Sequence, residues 1–242
     1  VMQGGSPPAD ARDPHAYSDG YGFPDSPRLH LADEANFASL LVDRLERVKT
    51  DDNVSAFYDL QAWYGRDYDR AVIKAEGEYD NGKIVDATTE LLWGHAVAGF
   101  WDAQLGVRYD SGEDPDRSWL AFGVQGLAPY WFEVDATAYV GESGRTAFNL
   151  ETVYELLLTQ KLILQPRVEA DWYGKRDARR GLGDGLSEVK AGLRLRYEIR
   201  REFAPYVGVE WARKFGETRD FARAAGQESS EARILAGLRF WF

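Results

Sequence analysis

From about Asn36 onward the chain repeats one pattern, stretches of roughly 10 to 13 residues in which apolar and polar side chains alternate. Successive side chains of a strand point to opposite faces, so each stretch has an apolar and a polar face, whereas a helix would scatter the charges all round. In Glu188 to Ile199, Val189, Ala191, Leu193, Leu195, Tyr197 and Ile199 share one face, and Glu188, Lys190, Arg194, Arg196 and Glu198 share the other. Leu164, Pro166, Val168 and Ala170 likewise oppose Gln165, Arg167, Glu169 and Asp171, and Val134, Ala136 and Ala138 oppose Glu133, Asp135 and Thr137. About twelve such stretches can be counted. The least decided is Asn36 to Val48, where Leu40-Leu41-Val42 lets either parity face inward.

The connections carry a second signal. Short links near Gly65-Arg66-Asp67, Ala98-Gly99, Leu127-Ala128-Pro129, Thr159-Gln160 and Arg200-Arg201-Glu202 alternate with longer polar ones, Asp110 to Asp116, Gly141 to Arg145, Gly174 to Gly185 and Gly216 to Ser229. Short turns at one end, longer loops at the other, an even strand number and apolar-out, polar-in alternation mark a transmembrane β-barrel. Trp63, Trp93, Trp101, Trp131, Tyr173 and Trp211 stand near strand ends, as an interfacial girdle requires, and the last stretch ends on Phe240 and Phe242. The sequence therefore predicts an all-β fold, a closed antiparallel up-and-down transmembrane barrel of about 12 strands over 36–242, preceded by an irregular segment 1–35. A soluble sandwich or lipocalin-like barrel would bury the apolar face instead. The length of the strands and the ions along nearly every polar face speak against it.

In the segment 1–35, Gly4-Gly5-Ser6-Pro7-Pro8, Pro14, Gly20, Gly22, Pro24 and Pro27 break regular structure every few residues. This head is expected to be extended, either periplasmic or folded back as a plug. It begins at Val1 with no charged-then-apolar leader, so any export signal is expected to have been removed or to lie outside this sequence. Twenty-nine Lys and Arg against 40 Asp and Glu give a net charge of −11, which argues against nucleic acid as a partner. There is no Cys, so disulfides, thiolate metal sites and Cys nucleophiles are excluded. No apolar run approaches the roughly 18 to 20 residues of a transmembrane helix.

With ions pointing inward, the lumen must pair its charges or keep them wet, because an unpaired buried charge is strongly destabilising. Lys74, Glu76 and Glu78 are placed to face Asp86 and Glu90, and Arg194 and Arg196 to face Glu169, Asp171 and Glu210. A salt-bridge lattice accounts for most of these ions, and any surplus of carboxylates makes a cation path. The three His residues are His15, His30 and His95. Two of them share the head with Met2 and several Asp, a thioether, imidazole and carboxylate set that suits copper better than magnesium or calcium. His95 lies near a short turn, where a girdle role competes with ligation. Ser39, Ser55 and Ser187 lie in or beside strands, but none forms a nucleophile motif with His95, so a membrane-facing hydrolase has little support.

Several separate strings, in order along nearly the whole chain, carry a resemblance. These are Asp13-Pro14-His15-Ala16-Tyr17-Ser18-Asp19-Gly20-Tyr21, Leu40-Leu41-Val42-Asp43-Arg44-Leu45-Glu46, Asp59-Leu60-Gln61-Ala62-Trp63-Tyr64-Gly65, Lys74-Ala75-Glu76-Gly77-Glu78, Trp101 to Tyr109, and Gly123 to Tyr130. Together they resemble the copper-resistance protein B family of Gram-negative outer membranes. The resemblance implies a non-enzymatic outer-membrane protein that binds copper and sequesters or exports it, lowering periplasmic copper. Outer-membrane lipid, copper ions and a periplasmic copper protein are the implied partners, with a monomer as the expected state. Such proteins carry a Met- and His-rich stretch ahead of the barrel, of which Val1-Met2-Gln3-Gly4-Gly5 is the expected remnant. Met2, His15, His30 and His95 are then the candidate metal ligands. Asp59, Glu76, Glu78, Glu90, Asp102, Glu133 and Asp135 are the lumen carboxylates that would lower the cost of a cation inside a low-dielectric wall. The competing expectation is a narrow outer-membrane channel for small organic ions, without metal chemistry.

Overall fold

The computed structural model describes Asp10, residues 35–50 and residues 53–242, and within it Asn36–Phe242 forms a unit of its own. Its strands are β1 (Phe37–Lys49), β2 (Val54–Gly65), β3 (Asp69–Asp80), β4 (Lys83–Ala98), β5 (Trp101–Gly112), β6 (Arg117–Ala128), β7 (Phe132–Gly141), β8 (Thr146–Val153), β9 (Leu156–Leu157), β10 (Leu162–Tyr173), β11 (Gly185–Tyr197), β12 (Phe203–Lys214) and β13 (Ser230–Trp241). One helix, α1 (Gly216–Ala224), lies between β12 and β13. Each strand pairs antiparallel with its neighbour, and β13 pairs with β1. The sheet therefore closes as a barrel of twelve strands, with the two-residue β9 as an extra piece. Closure leaves no edge, which is the condition for a sheet to cross a bilayer.

β9 continues β8 in the same register: Val153 opposes Arg167, and Leu156 opposes Leu164. The gap falls opposite Pro166. The Tyr154 amide donates to the Pro166 carbonyl at 3.0 Å, but proline has no N–H to return the bond, so one rung of the ladder is missing. A second irregularity settles the parity left open in β1. A bulge between Val42 and Arg44 shifts the register, so that Asp43 and Arg44 both belong to the lumen side, followed by Glu46 and Val48.

The alternation is sorted as a membrane barrel requires. Ile73, Leu91, Leu105, Phe122, Val209 and Ile234 are exposed on the outer wall, while Arg44, Glu46, Glu90, Asp110, Arg167, Glu169 and Arg194 are buried inside. Two aromatic residues expected in the girdle are corrected. Trp63 and Tyr173 belong to the inward row that runs in register through Val72, Leu92, Gly106, Ala121, Tyr139 and Ala147. Being near a strand end did not decide their face; their parity did.

The strands begin and end at two unlike rims. At the terminal end, where β1 starts and β13 finishes, all turns are short. At the loop end, β3 and β4 join through Asn81-Gly82 alone. Both residues have positive φ, 47° and 85°, which a two-residue hairpin turn needs and which Gly and Asn adopt at least cost. The longest connections, 174–184 and 215–229, also lie at this end.

Candidate functional site

Near the terminal end, inward side chains enclose a cavity of about 390 Å³. Seven carboxylates line it, those of Asp43, Asp59, Glu76, Glu90, Glu133, Asp135 and Glu151, against two cations, Lys74 and Arg239. The excess comes from register. Asp135, Glu151 and Glu169 stand directly opposite one another across β7, β8 and β10, and like charges so placed repel. Cations from other strands hold them together. Lys74 reaches from β3 to Asp135 and donates to Gln104 Oε1 at 2.8 Å. Arg167 Nη2 reaches Glu151 at 2.6 Å and Glu169 at 3.4 Å, and Lys190 Nζ reaches Glu169 at 3.1 Å. The amides of Gln61, Gln104 and Gln125 bond in a chain beside Lys74.

Ion pairs fill the rest of the lumen. Arg194, 2 % exposed, grips Glu46 with Nε at 2.7 Å and Nη2 at 3.3 Å, and holds Glu210 at 3.0 Å. The Tyr206 hydroxyl donates to Glu46 at 3.0 Å. Arg44, 4 % exposed, holds Asp59 at 2.8 Å and Glu76 at 3.5 Å. Side chains lining an open aqueous pore would be exposed to it, whereas Arg44, Glu46 and Arg194 are buried; Asp59 and Glu76 keep an open face toward the cavity.

A strap closes the loop end. Residues 174–184, between β10 and β11, reach β4, which is nearly opposite in the ring. Arg180 donates to Asp86 Oδ1 at 2.9 Å and to the Pro115 carbonyl at 3.2 Å. Asp177 accepts from Arg117 at 2.8 Å and lies 3.3 Å from Arg145. Burial pushes the Asp177 carboxyl up, but the Arg117 hydrogen bond and the two guanidinium charges outweigh it and hold the group below its ordinary value. From α1, the Thr218 hydroxyl accepts from the Gly183 amide at 2.8 Å and lies 2.9 Å from Ser187 Oγ. The helix thus pins the far end of the strap.

Five of the seven carboxylates expected to form a cation path, Asp59, Glu76, Glu90, Glu133 and Asp135, share the cavity. The other two lie elsewhere. Glu78 faces Asp86 in register near the loop end, and Asp102 sits at the terminal rim, 3.5 Å from Arg70. Asp43 and Glu151 line the cavity as well, and Glu169 adjoins it; their strand parity carried the signal, but only the register shows that they meet. Lys74 does not pair with Glu90, its in-register neighbour, because Glu90 accepts from the Tyr139 hydroxyl at 2.7 Å. Arg194 reaches Glu210 as expected, while Arg196 turns to Glu155 at 2.7 Å.

His95 lies on the outer wall at the terminal end, with Nδ1 2.9 Å from Asp69 Oδ1 and its ring 5.5 Å from that of Trp93. Met2, His15 and His30 lie outside the described residues. Among the described residues, no three His, Asp or Glu side chains converge as a metal-ligand cluster. The cavity therefore offers a strong negative field and many oxygen donors rather than a preformed cage.

A family model described as "Copper resistance protein B precursor (CopB)" matches residues 36–242. The "Copper resistance protein B homolog" of Pseudomonas syringae pv. tomato is 47% identical over 210 residues, spanning 87% of this chain and 71% of the relative. "Copper resistance protein B" of Escherichia coli is 45% identical over 203 residues, spanning 84% and 69%. Among solved structures, the NanC porin matches with a TM-score of 0.54 at 12% identity, covering 83% of this chain and 98% of its own. The KdgM porin matches with a TM-score of 0.51 at 12% identity, covering 84% and 99%. At that identity the likeness concerns the fold, an outer-membrane type of barrel.

Proposed function

The chain belongs to the copper resistance protein B family, and on that premise we propose that it takes copper ions as cargo into its acidic lumen from the terminal end of the barrel and holds them there. The terminal end then faces the periplasm, and the strapped end faces outward. In the head, Met2, His15 and His30 serve as capture ligands that pass the ion to the lumen, and a periplasmic copper protein is the natural donor. His95, paired with Asp69 on the outer wall, is at most an accessory ligand at the rim. No covalent chemistry is involved, so the role is binding and transfer rather than catalysis.

The observation that carries this reading is the surplus of carboxylates around one cavity, seven in its lining against the lining cations Lys74 and Arg239 and the two guanidiniums behind the wall, Arg44 and Arg167. In a low-dielectric wall a surplus of negative charge compensates the desolvation of an entering cation far more than it would in water. The donors are oxygens, which favours the divalent state of copper. Cu(II) binds most N and O sites more tightly than the other first-row divalent ions, while Cu(I) selects thiolate and thioether. Sequestration is favoured over free conduction because the remaining ions are buried in pairs. A passive channel for small organic ions keeps the porin-like fold as support, and the sealed ion pairs oppose it.

The test is titration of the detergent-folded chain with Cu(II), alongside a variant carrying D59N, E76Q, E133Q and D135N, which removes charge with little change of shape. The variant is expected to lose at least tenfold in affinity while still migrating as a folded barrel on unheated gels. Equal copper binding by a folded variant would place the site elsewhere.

A further inference from the structure

The five turns of the terminal rim differ in character. Two of them are charged: Arg66-Asp67-Tyr68 between β2 and β3, and Glu198-Ile199-Arg200-Arg201-Glu202 between β11 and β12. Their exposed Tyr68 and Ile199 stand among charged neighbours, whereas the three turns that follow one another from β4 to β10 have apolar tips with a single charge, Lys161. Phe100 caps the first, Tyr130 and Trp131 the second, and Leu157 and Leu158 lead into the third. All five residues are more than half exposed, Tyr130 the most at 82 %. The turns also touch: the Phe100 and Trp131 rings meet edge to face at 6.1 Å, and the Leu127 amide donates to the Phe100 carbonyl at 2.9 Å.

The middle turn holds its rings at a conformational cost. Tyr130 and Trp131 both have φ of 68°, the left-handed region that large side chains avoid and that Gly or Asn would occupy with less strain. Packing within the barrel repays little of this, since Trp131 meets a Phe100 ring that is itself exposed and Tyr130 is almost wholly exposed. Strain kept where a less strained residue would do marks a position whose side chain acts on something outside the fold.

We propose that the three turns from β4 to β10 are buried in the lipid headgroup layer, so that the barrel sits inclined, deeper in the membrane on this side than on the side of the two charged turns. The apolar surface of the turns runs without a break into the lipid-facing wall through Phe132, whose ring packs on Tyr154 at 4.7 Å, and Leu156. That continuity identifies lipid as the occupant. Tyr and Trp, with an apolar body and a polar tip, are the residues suited to headgroup depth. Lys161 at the tip of the third turn is long enough to bring its ammonium back to water. On the opposite side, Asp67, Arg200 and Arg201 keep their turns in water.

The chain has no cysteine, so single-cysteine probes are unambiguous. Phe100→Cys, Tyr130→Cys and Leu158→Cys on the apolar side, and Asp67→Cys and Arg200→Cys on the charged side, would be labelled with an environment-sensitive fluorophore and folded into phosphatidylethanolamine–phosphatidylglycerol vesicles. The first three labels are expected to be blue-shifted and quenched by brominated lipid, the last two by aqueous iodide. Equal iodide quenching at all five sites would overturn the proposal and leave the patch free for a periplasmic protein. A second measurement addresses the strain. The pair Tyr130→Asn and Trp131→Gly is expected to leave heat resistance in detergent unchanged or higher, while moving the labels at 100 and 158 toward water in vesicles. Loss of stability in detergent, or unmoved labels in vesicles, would show that the rings serve the turn itself.

Discussion

Lys74 is the side chain whose position says most about the cavity. It starts on β3, ignores the glutamate opposite it, and carries its ammonium across the lumen to Asp135 on β7 and the Gln104 carbonyl. Within the acidic cavity it occupies the kind of place a cargo cation would take. Replacing it with Met removes one of the two cations that line the cavity and leaves Arg44 and Arg167 behind its wall in place, so Lys74→Met is expected to tighten Cu(II) binding by tenfold or more. Lys74→Arg, which keeps the charge, is expected to leave binding within about threefold, a direction set by Coulomb interaction in a poorly screened site. Titration of the two variants side by side decides it, and equal affinities would separate copper binding from the cavity.

Arg194 illustrates the other kind of lumen charge. Its guanidinium bonds Glu46 and Glu210 at once, with Arg194 and Glu46 buried and Glu210 partly so. Arg194→Met strands Glu46, while Glu210 keeps Arg233 at 3.7 Å, and is expected to cost about 3–5 kcal/mol, whereas combining it with Glu46→Leu should recover much of the loss, because a matched apolar replacement removes the buried charge together with its partner. Urea unfolding in detergent measures both. At this scale the sequence was a partial guide. Parity placed Glu133, Asp135, Glu151 and Glu169 on polar faces, but pairing depends on which residues of neighbouring strands stand level. That is set by turn lengths and bulges summed around the ring, so Glu78 and Asp102, alike in sequence to the cavity carboxylates, fall outside it.

Among the elements, the strap 174–184 is held by side chains rather than by a ladder. Its hub, Asp177, has a carboxyl held below the ordinary value by Arg117 and Arg145. A group whose folded-state pKa is lowered stabilises above its unfolded value, near 3.8 for Asp, and that contribution disappears as pH falls through the folded value. The strap is therefore expected to stay closed through neutral and mildly acidic pH and to loosen only below about pH 4. Asp177→Asn should loosen it at neutral pH. Proteolytic nicking between residues 174 and 184 reads out both, and a strap in the Asn variant as resistant as the parent would remove Asp177 from the role. The elements also show where pattern reading stops. Alternation outlined β10 even through Pro166, but the lost rung opposite Tyr154 follows from a missing N–H rather than from hydropathy. In β1, Leu40-Leu41-Val42 offered both parities, and a bulge at Asp43 and Arg44 uses both in turn.

For the whole molecule, the barrel was legible because its two solvents, lipid outside and a charged lumen inside, demand opposite faces at every step of the chain. The closed state was not legible. That the lumen is filled by buried pairs, with one acidic cavity toward the terminal end and a strap across the other, depends on contacts between strands far apart in sequence, such as Arg194 with Glu46 and Arg180 with Asp86. A barrel closed in this way suits the proposed receptacle for copper better than a standing pore. The most direct measurement is anomalous diffraction at the copper absorption edge from crystals of the full chain grown with Cu(II). A copper peak is expected inside the lumen among Glu76, Glu133 and Asp135. A peak confined to the head or to His95 on the outer wall, with none in the cavity, would contradict it.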